Sequence, residues 1–112
     1  MTMHLKKIAL AVSALLAVAG AHALDAAAAK ALASKSACLA CHTADKKIVG
    51  PAYKDVAAKH AGQADALDKV AARIKSGGSG VYGPVPMPPQ PGLKDDELKL
   101  LAAWVLAGAP DK

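Results

Sequence analysis

The chain is predicted to fold as one all-α domain of about four helices. Apolar residues recur three and four positions apart along several stretches, the spacing that gathers side chains on one face of a helix. No stretch alternates apolar and polar residues with period two, as a half-buried strand does. The first and last stretches begin on acidic residues and the last two stop at glycines, which suits helix termini. The sequence shows no internal repeat.

The first residues stand apart from this domain. Lys6 and Lys7 precede an apolar run over residues 8–20, and Ala21-His22-Ala23 forms an A-x-A cleavage site. That is the layout of a secretory signal. The run is too short to cross a bilayer comfortably, so cleavage is expected rather than anchoring. Residues 1–23 are therefore assigned to a cleaved signal peptide and residues 24–112 to the folded domain, 89 residues long.

Each helix has its own justification. Asp25 suits the N-cap of an Ala-rich helix over residues 26–36. A short second helix is expected over residues 53–59. A third, over residues 64–75, carries Leu67, Val70, Ala71 and Ile74 at helical spacing and stops at Ser76-Gly77-Gly78. The fourth, over residues 95–107, opens with Asp95, Asp96 and Glu97 against its positive dipole end. Its stripe is Leu98, Leu101, Ala102 and Val105, with Trp104 beside it.

Charge and composition narrow the function. Removing Lys6 and Lys7 from 14 basic residues leaves 12 against 9 acidic ones, net +3. That is too little for nucleic-acid binding by bulk charge. There is no Phe, one Trp and two Tyr, and a domain below about 100 residues is already poor in buried surface. Something other than side chains must complete the core.

Cys38-Leu39-Ala40-Cys41-His42 says what that is. Two thiols three positions apart can each add to one vinyl group of the same porphyrin, and the next histidine is placed to ligate the iron. A thioredoxin-like pair requires a βαβ setting, which is missing. A zinc site requires four ligands, and the next donor, His60, is 18 residues on. A disulfide across two residues closes almost no loop. Covalent haem c is the reading that uses all three groups. Burying about 400 Å² of porphyrin at about 25 cal/mol/Å² contributes roughly 10 kcal/mol, as much as a small domain's whole stability. The chain without haem is expected to fold poorly.

Between the third and fourth helices lies a glycine cluster over residues 77–80, then Val81-Tyr82-Gly83-Pro84-Val85-Pro86-Met87-Pro88-Pro89-Gln90-Pro91-Gly92. Glycines admit close approach of backbone to a flat ligand, and prolines stiffen the segment. Met1 and Met3 leave with the signal, so Met87 is the one methionine of the domain. Its thioether, a soft ligand, raises the potential of a haem iron and suits electron transfer. His60 is the rival sixth ligand, giving a bis-histidine haem, although its place just past the second helix favours a surface or haem-edge role.

These residues resemble the short bacterial class I cytochromes c, the small monohaem proteins that donate electrons to nitrite reductase and terminal oxidases. The resemblance covers nearly all of residues 24–112. Its pieces are Cys38 to His42, Val49-Gly50-Pro51-Ala52-Tyr53-Lys54-Asp55-Val56-Ala57-Ala58-Lys59, Arg73-Ile74-Lys75, Gly80 to Pro89, and Trp104-Val105-Leu106. It implies four helices around one covalent haem, with the first and last crossing near Trp104. It implies that the Pro51 carbonyl accepts the Nδ1 hydrogen of His42 and that Arg73 and Tyr82 hydrogen-bond the propionates. The position of Gln90 is often Asn, whose side chain tunes the methionine sulfur. The propionate-facing aromatic is often Trp rather than Tyr82. Aromatics usual in the family align with Ala33 and His60, and a glycine with Ala37, so a looser helix crossing is expected.

With His42 and Met87 on the iron, no substrate reaches it, and the expected activity is one-electron transfer rather than catalysis. The expected setting is the periplasm. Expected partners are a donor such as a quinol-oxidising complex and an acceptor such as nitrite reductase or a terminal oxidase, met by a monomer without stable membrane association. Lys35, Lys46, Lys47, Lys54, Lys59 and Lys75 are candidates for a cationic ring that steers acidic partners. Two alternatives are a haem enzyme or gas sensor with an open sixth site, and a non-haem module with a structural metal or disulfide.

Overall fold

The computed structural model describes residues 24–112, so the segment assigned to the signal peptide lies outside the described residues. Among the described residues are α1 (Ala26–Lys35), a 3₁₀ turn (Cys38–Ala40), α2 (Tyr53–Lys59), α3 (Ala66–Ser76) and α4 (Asp95–Leu106). There is no strand among them, only one antiparallel bridge between Gly78 and Met87. The all-α class and all four helices match the reading of the sequence.

Asp25 caps α1 as expected, its carboxylate accepting the Ala28 N–H at 2.9 Å. Ala26, Ala29 and Ala33 form the buried side of α1, which packs against α4. Ala29, Ala33 and Ala102 have no exposed surface at all. Methyl groups at this contact let the two helices approach closely, and Ala33 is fully covered although it lacks a ring. Lys30 of α1 is also ion-paired with Asp111 near the C-terminus.

The third helix departs from expectation in start and in phase. Residues 60–65 are drawn into turns, with Gln63 N–H on the His60 carbonyl at 3.1 Å and Ala66 N–H on the Gln63 carbonyl at 3.3 Å. The helix therefore starts two residues late. Its buried positions are Ala66, Val70 and Ile74, and Leu67 is left exposed. Val70 and Ile74 are buried as the sequence suggests, while Ala66, four residues before Val70, takes the buried place expected of Leu67.

α4 is the centre of the fold and packs against α1, α2 and α3. Glu97 caps it by accepting the Lys94 N–H at 3.0 Å. Leu98, Leu101, Ala102, Trp104 and Val105 are buried, and the Trp104 indole donates to the Pro110 carbonyl at 2.8 Å. The first and last helices do pack together, with Trp104 buried on the second of them.

Between α1 and the 3₁₀ turn the chain reverses at Ala37, whose φ of 61° lies in the left-handed region. A side chain there costs about 1–2 kcal/mol, which glycine avoids. Glycine gives back about 0.4–1 kcal/mol through the unfolded chain. Ala37→Gly is therefore expected to stabilise the protein by roughly 0.5–1 kcal/mol, raising Tm by a few degrees in a thermal melt.

Candidate functional site

The Cys38–His42 motif is shaped by its own backbone. Cys41 and His42 both direct their N–H groups to the Cys38 carbonyl, at 3.1 and 3.0 Å. Cys38, Cys41 and His42 thereby come onto the wall of one cavity. Both thiols are free and half-buried, and burial pushes the Cys38 thiol above its ordinary pKa.

The next ten residues fold back over the histidine. Thr43 Oγ1 accepts the Lys46 N–H at 2.9 Å and donates to the Lys46 carbonyl at 2.7 Å, closing a local turn. Gly50 N–H then reaches the Cys41 carbonyl at 2.7 Å and Tyr53 N–H the Thr43 carbonyl at 2.9 Å. The result sets the Pro51 carbonyl 2.8 Å from His42 Nδ1. A carbonyl only accepts, so Nδ1 carries the hydrogen and Nε2 keeps a lone pair. That is the tautomer a metal-ligating imidazole needs.

Packing fixes the plane of the ring. Tyr53 stacks on His42 with centroids 4.9 Å apart and planes 16° from parallel. Trp104 meets the other side of the network edge-on, 5.4 Å from Tyr53. Tyr53 is buried, and that burial drives its phenol well above the usual tyrosine range. Gly50 closes the remaining side, because a Cβ there would lie 2.4 Å from His42 Cε1. The sequence reading missed Tyr53 and Gly50 as site residues. Their signal was the Gly50-Pro51-Ala52-Tyr53 run, where every residue but Ala52 touches the histidine.

Met87 reaches the same cavity on the proline arm. Gly78 and Met87 exchange both backbone hydrogen bonds, each 2.9 Å. Gly77 admits this approach: its φ is 62°, and a Cβ would sit 2.3 Å from the Met87 carbonyl oxygen. Further along, the Gln90 N–H donates to the Lys75 carbonyl at 3.0 Å, tying the arm to α3.

The cavity so formed holds about 1130 Å³ of non-atom space, the open solvent at its mouth included. Its inner walls are Val56, Val70, Ile74, Leu101 and Val105, from α2, α3 and α4. Pro51, Arg73 and Tyr82 also line it. One guanidinium donor of Arg73 is spent on the Gly77 carbonyl at 3.2 Å. The Tyr82 hydroxyl is engaged by His60 Nε2. Gln90 and His60 are not among the lining residues, and His60 holds Gln63 Oε1 at 2.9 Å with its other nitrogen. An apolar slot bearing two free thiols, an imidazole with a free Nε2 and a thioether is a donor set that fits an iron porphyrin.

Fold and site together define a small helical protein built to hold a covalent haem. The family model for cytochrome c matches residues 26–109. The chain belongs to the cytochrome c family, whose members are haem-based electron carriers. It is 61% identical over 70 residues to cytochrome c-551 of Pseudomonas aeruginosa, a match covering 62% of this chain and 66% of that one. It is 57% identical over 76 residues to cytochrome c-552 of Hydrogenobacter thermophilus, covering 68% and 76%. The crystal structure of Nitrosomonas europaea cytochrome c552 superposes with a TM-score of 0.67 at 49% identity, over 70% of this chain and 96% of that one.

The Gly50 contact is open to test. Gly50→Ala forces a methyl group into the His42 ring and is expected to destabilise the haem-loaded protein by about 1–3 kcal/mol. A Cβ at Gly92 meets nothing within 4 Å, so Gly92→Ala is expected to be near neutral. Urea midpoints at unchanged slope would show the difference.

Proposed function

We propose that the protein is an exported one-electron carrier in which Cys38 and Cys41 hold a single haem c and His42 and Met87 ligate its iron. The observation that carries this reading is the convergence of both thiols, His42 and Met87 on one apolar cavity, with His42 Nδ1 already committed to Pro51. When bound, the haem supplies a ferric/ferrous couple.

The chain's own residues do the rest. Pro51 orients the imidazole and increases its basicity, which favours the bond to iron. The Gly78–Met87 bridge holds the thioether in place, so little need rearrange between oxidation states. Val56, Val70, Ile74, Leu101 and Val105 keep the slot dry and its dielectric low, which disfavours the more charged ferric state. Arg73 and Tyr82 face the propionates in this reading. Gln90, with its backbone on α3 rather than its side chain in the slot, acts on Met87 by anchoring the arm.

Residues 1–23 direct export to the periplasm, and the partners are a quinol-oxidising donor and a nitrite reductase or terminal oxidase. No described helix is long and apolar enough to cross a membrane. Docking is brief and uses a small interface. Of the six lysines, Lys47 lines the cavity mouth while Lys75 lines a separate groove between α3 and α4. Lys54 is paired with Asp45, so Lys47 at the cavity carries the steering charge nearest the haem edge in this reading.

Optical spectra of the chain made with haem-maturation machinery test the assignment. Haem that stays with the polypeptide through acid-solvent extraction establishes the thioether bonds. A weak far-red sulfur-to-iron band is expected in the ferric protein and is expected to vanish in Met87→Ala, whose ferrous form then binds CO. Absence of the band in the unmodified protein, with ready CO uptake, would sink the His/Met assignment.

A further inference from the structure

Tyr82 lines the cavity, yet its hydroxyl is bonded to a residue outside it, His60. The two rings meet edge-on with centroids 6.0 Å apart. His60 Nδ1 lies 2.9 Å from Gln63 Oε1. An amide oxygen only accepts, so Nδ1 carries the hydrogen of the neutral imidazole and Nε2 accepts. The single hydrogen of the Tyr82 hydroxyl therefore points at His60 and not into the cavity.

We propose that His60 is a positioning residue that sets the hydrogen-bonding role of Tyr82 towards the haem propionates, and so links the reduction potential to the protonation of His60. This rests on the reading above that Tyr82 and Arg73 face the propionates. While His60 is neutral it takes the Tyr82 hydrogen, and the phenol oxygen can only accept. A proton from solvent at Nε2 reverses that bond: Nε2–H donates to the phenol oxygen, and the Tyr82 hydrogen turns to a carboxylate. One proton is gained at His60, none is lost from Tyr82, and no bond between heavy atoms changes. Burial holds the Tyr82 phenol above its ordinary pKa, so it stays protonated throughout.

The charged neighbours do not compete for this role. Lys59 of α2 donates its ammonium to the Val81 carbonyl at 2.8 Å and lies 5.4 Å from the Tyr82 ring centre. Arg73 of α3 acts on the phenol through its charge. Neither is a side-chain type whose charge ordinarily changes between about pH 5 and 8, as that of a histidine does. Gln63, on the far side, is neutral. The propionates are the other groups able to titrate nearby, so the test removes His60 and leaves them in place.

The sign follows from linkage. A cation at His60 is repelled more by ferric than by ferrous iron, so the proton binds more tightly in the reduced protein. The potential is then highest at low pH and falls as His60 loses its proton. A threefold difference in proton affinity corresponds to about 28 mV for a one-electron couple at 59 mV per tenfold.

Redox titrations of the haem-loaded chain from about pH 5 to 8 read this step directly. NMR titration of the His60 ring in both oxidation states gives its two pKa values, with the ferrous one expected about threefold higher in affinity. His60→Phe is expected to shrink the step at least twofold, leaving only what the propionates contribute, Tyr82→Phe to cut it at least twofold, and Gln63→Glu, at an exposed site, to move it to higher pH. A step undiminished in His60→Phe or in Tyr82→Phe overturns the proposal, as does a His60 that titrates identically in both states. The far-red band, checked in every variant, separates that outcome from failure of the His/Met assignment. The NMR titration of the unmodified chain decides the matter should either ring variant not fold.

Discussion

The hydrogen bond from His42 Nδ1 to the Pro51 carbonyl, 2.8 Å long, is the contact on which the site is built. It ties the end of the Cys38–His42 motif to the start of α2 and selects the tautomer with a lone pair on Nε2. Everything around it serves that geometry. The Thr43 turn shortens the loop, Gly50 removes the methyl that would strike the ring, and Tyr53 covers its face. Tyr53 is in turn fixed by Trp104 of α4. The orientation of one imidazole is thus transmitted from the last turn of α4 through two aromatic contacts.

That arrangement explains why a core so short of aromatics suffices. The α1–α4 contact is made of alanine methyls at zero exposure and supplies closeness rather than buried area. The larger side chains, Val56, Val70, Ile74, Leu101 and Val105, belong both to the buried cluster and to the cavity wall. The core does not end before the cavity begins. Apolar area contributes only when water is excluded from it, so filling the slot completes the burial of the residues that hold the helices together. Folding and cofactor retention draw on the same side chains.

What the sequence made legible follows the range of the interactions. Capping at Asp25, the stripe of α4 and the five-residue haem motif are local patterns, and each appears where the residues place it. The place of Met87 on the cavity wall was also legible, since it is the one methionine among residues 24–112 and sits on the proline arm. The phase of α3 was not: Leu67 and Ala66 fit a helical period equally well, and only the neighbouring helices decide which is buried. Tyr53 as the cover of His42 depends on a loop folding back, and the His60–Tyr82 bond joins residues 22 apart. The Gly50 to Tyr53 run marks the loop without showing which ring it covers, and the His60–Tyr82 pair has no local sign in a single sequence. Ala37 lies between these cases, since alignment with a family glycine marked the position and the backbone supplied the reason, a φ of 61°.

The two walls of the slot are held by different physics. The histidine wall is over-determined, by side-chain packing on Tyr53, a carbonyl at Pro51 and a backbone that leaves no room at Gly50. The methionine wall has no comparable packing; Met87 and its neighbours in the arm are half-buried or exposed. It is held by backbone: two hydrogen bonds to Gly78, one from Gln90 to α3, and prolines on both sides of Met87. Prolines reduce the conformations available to the arm when it is detached, so few contacts are enough to keep it in place. A local opening of the protein, which begins where buried contacts are fewest, would therefore start at the methionine side. The His42 side, with its contacts running into α4, would be the last part of the site to give way.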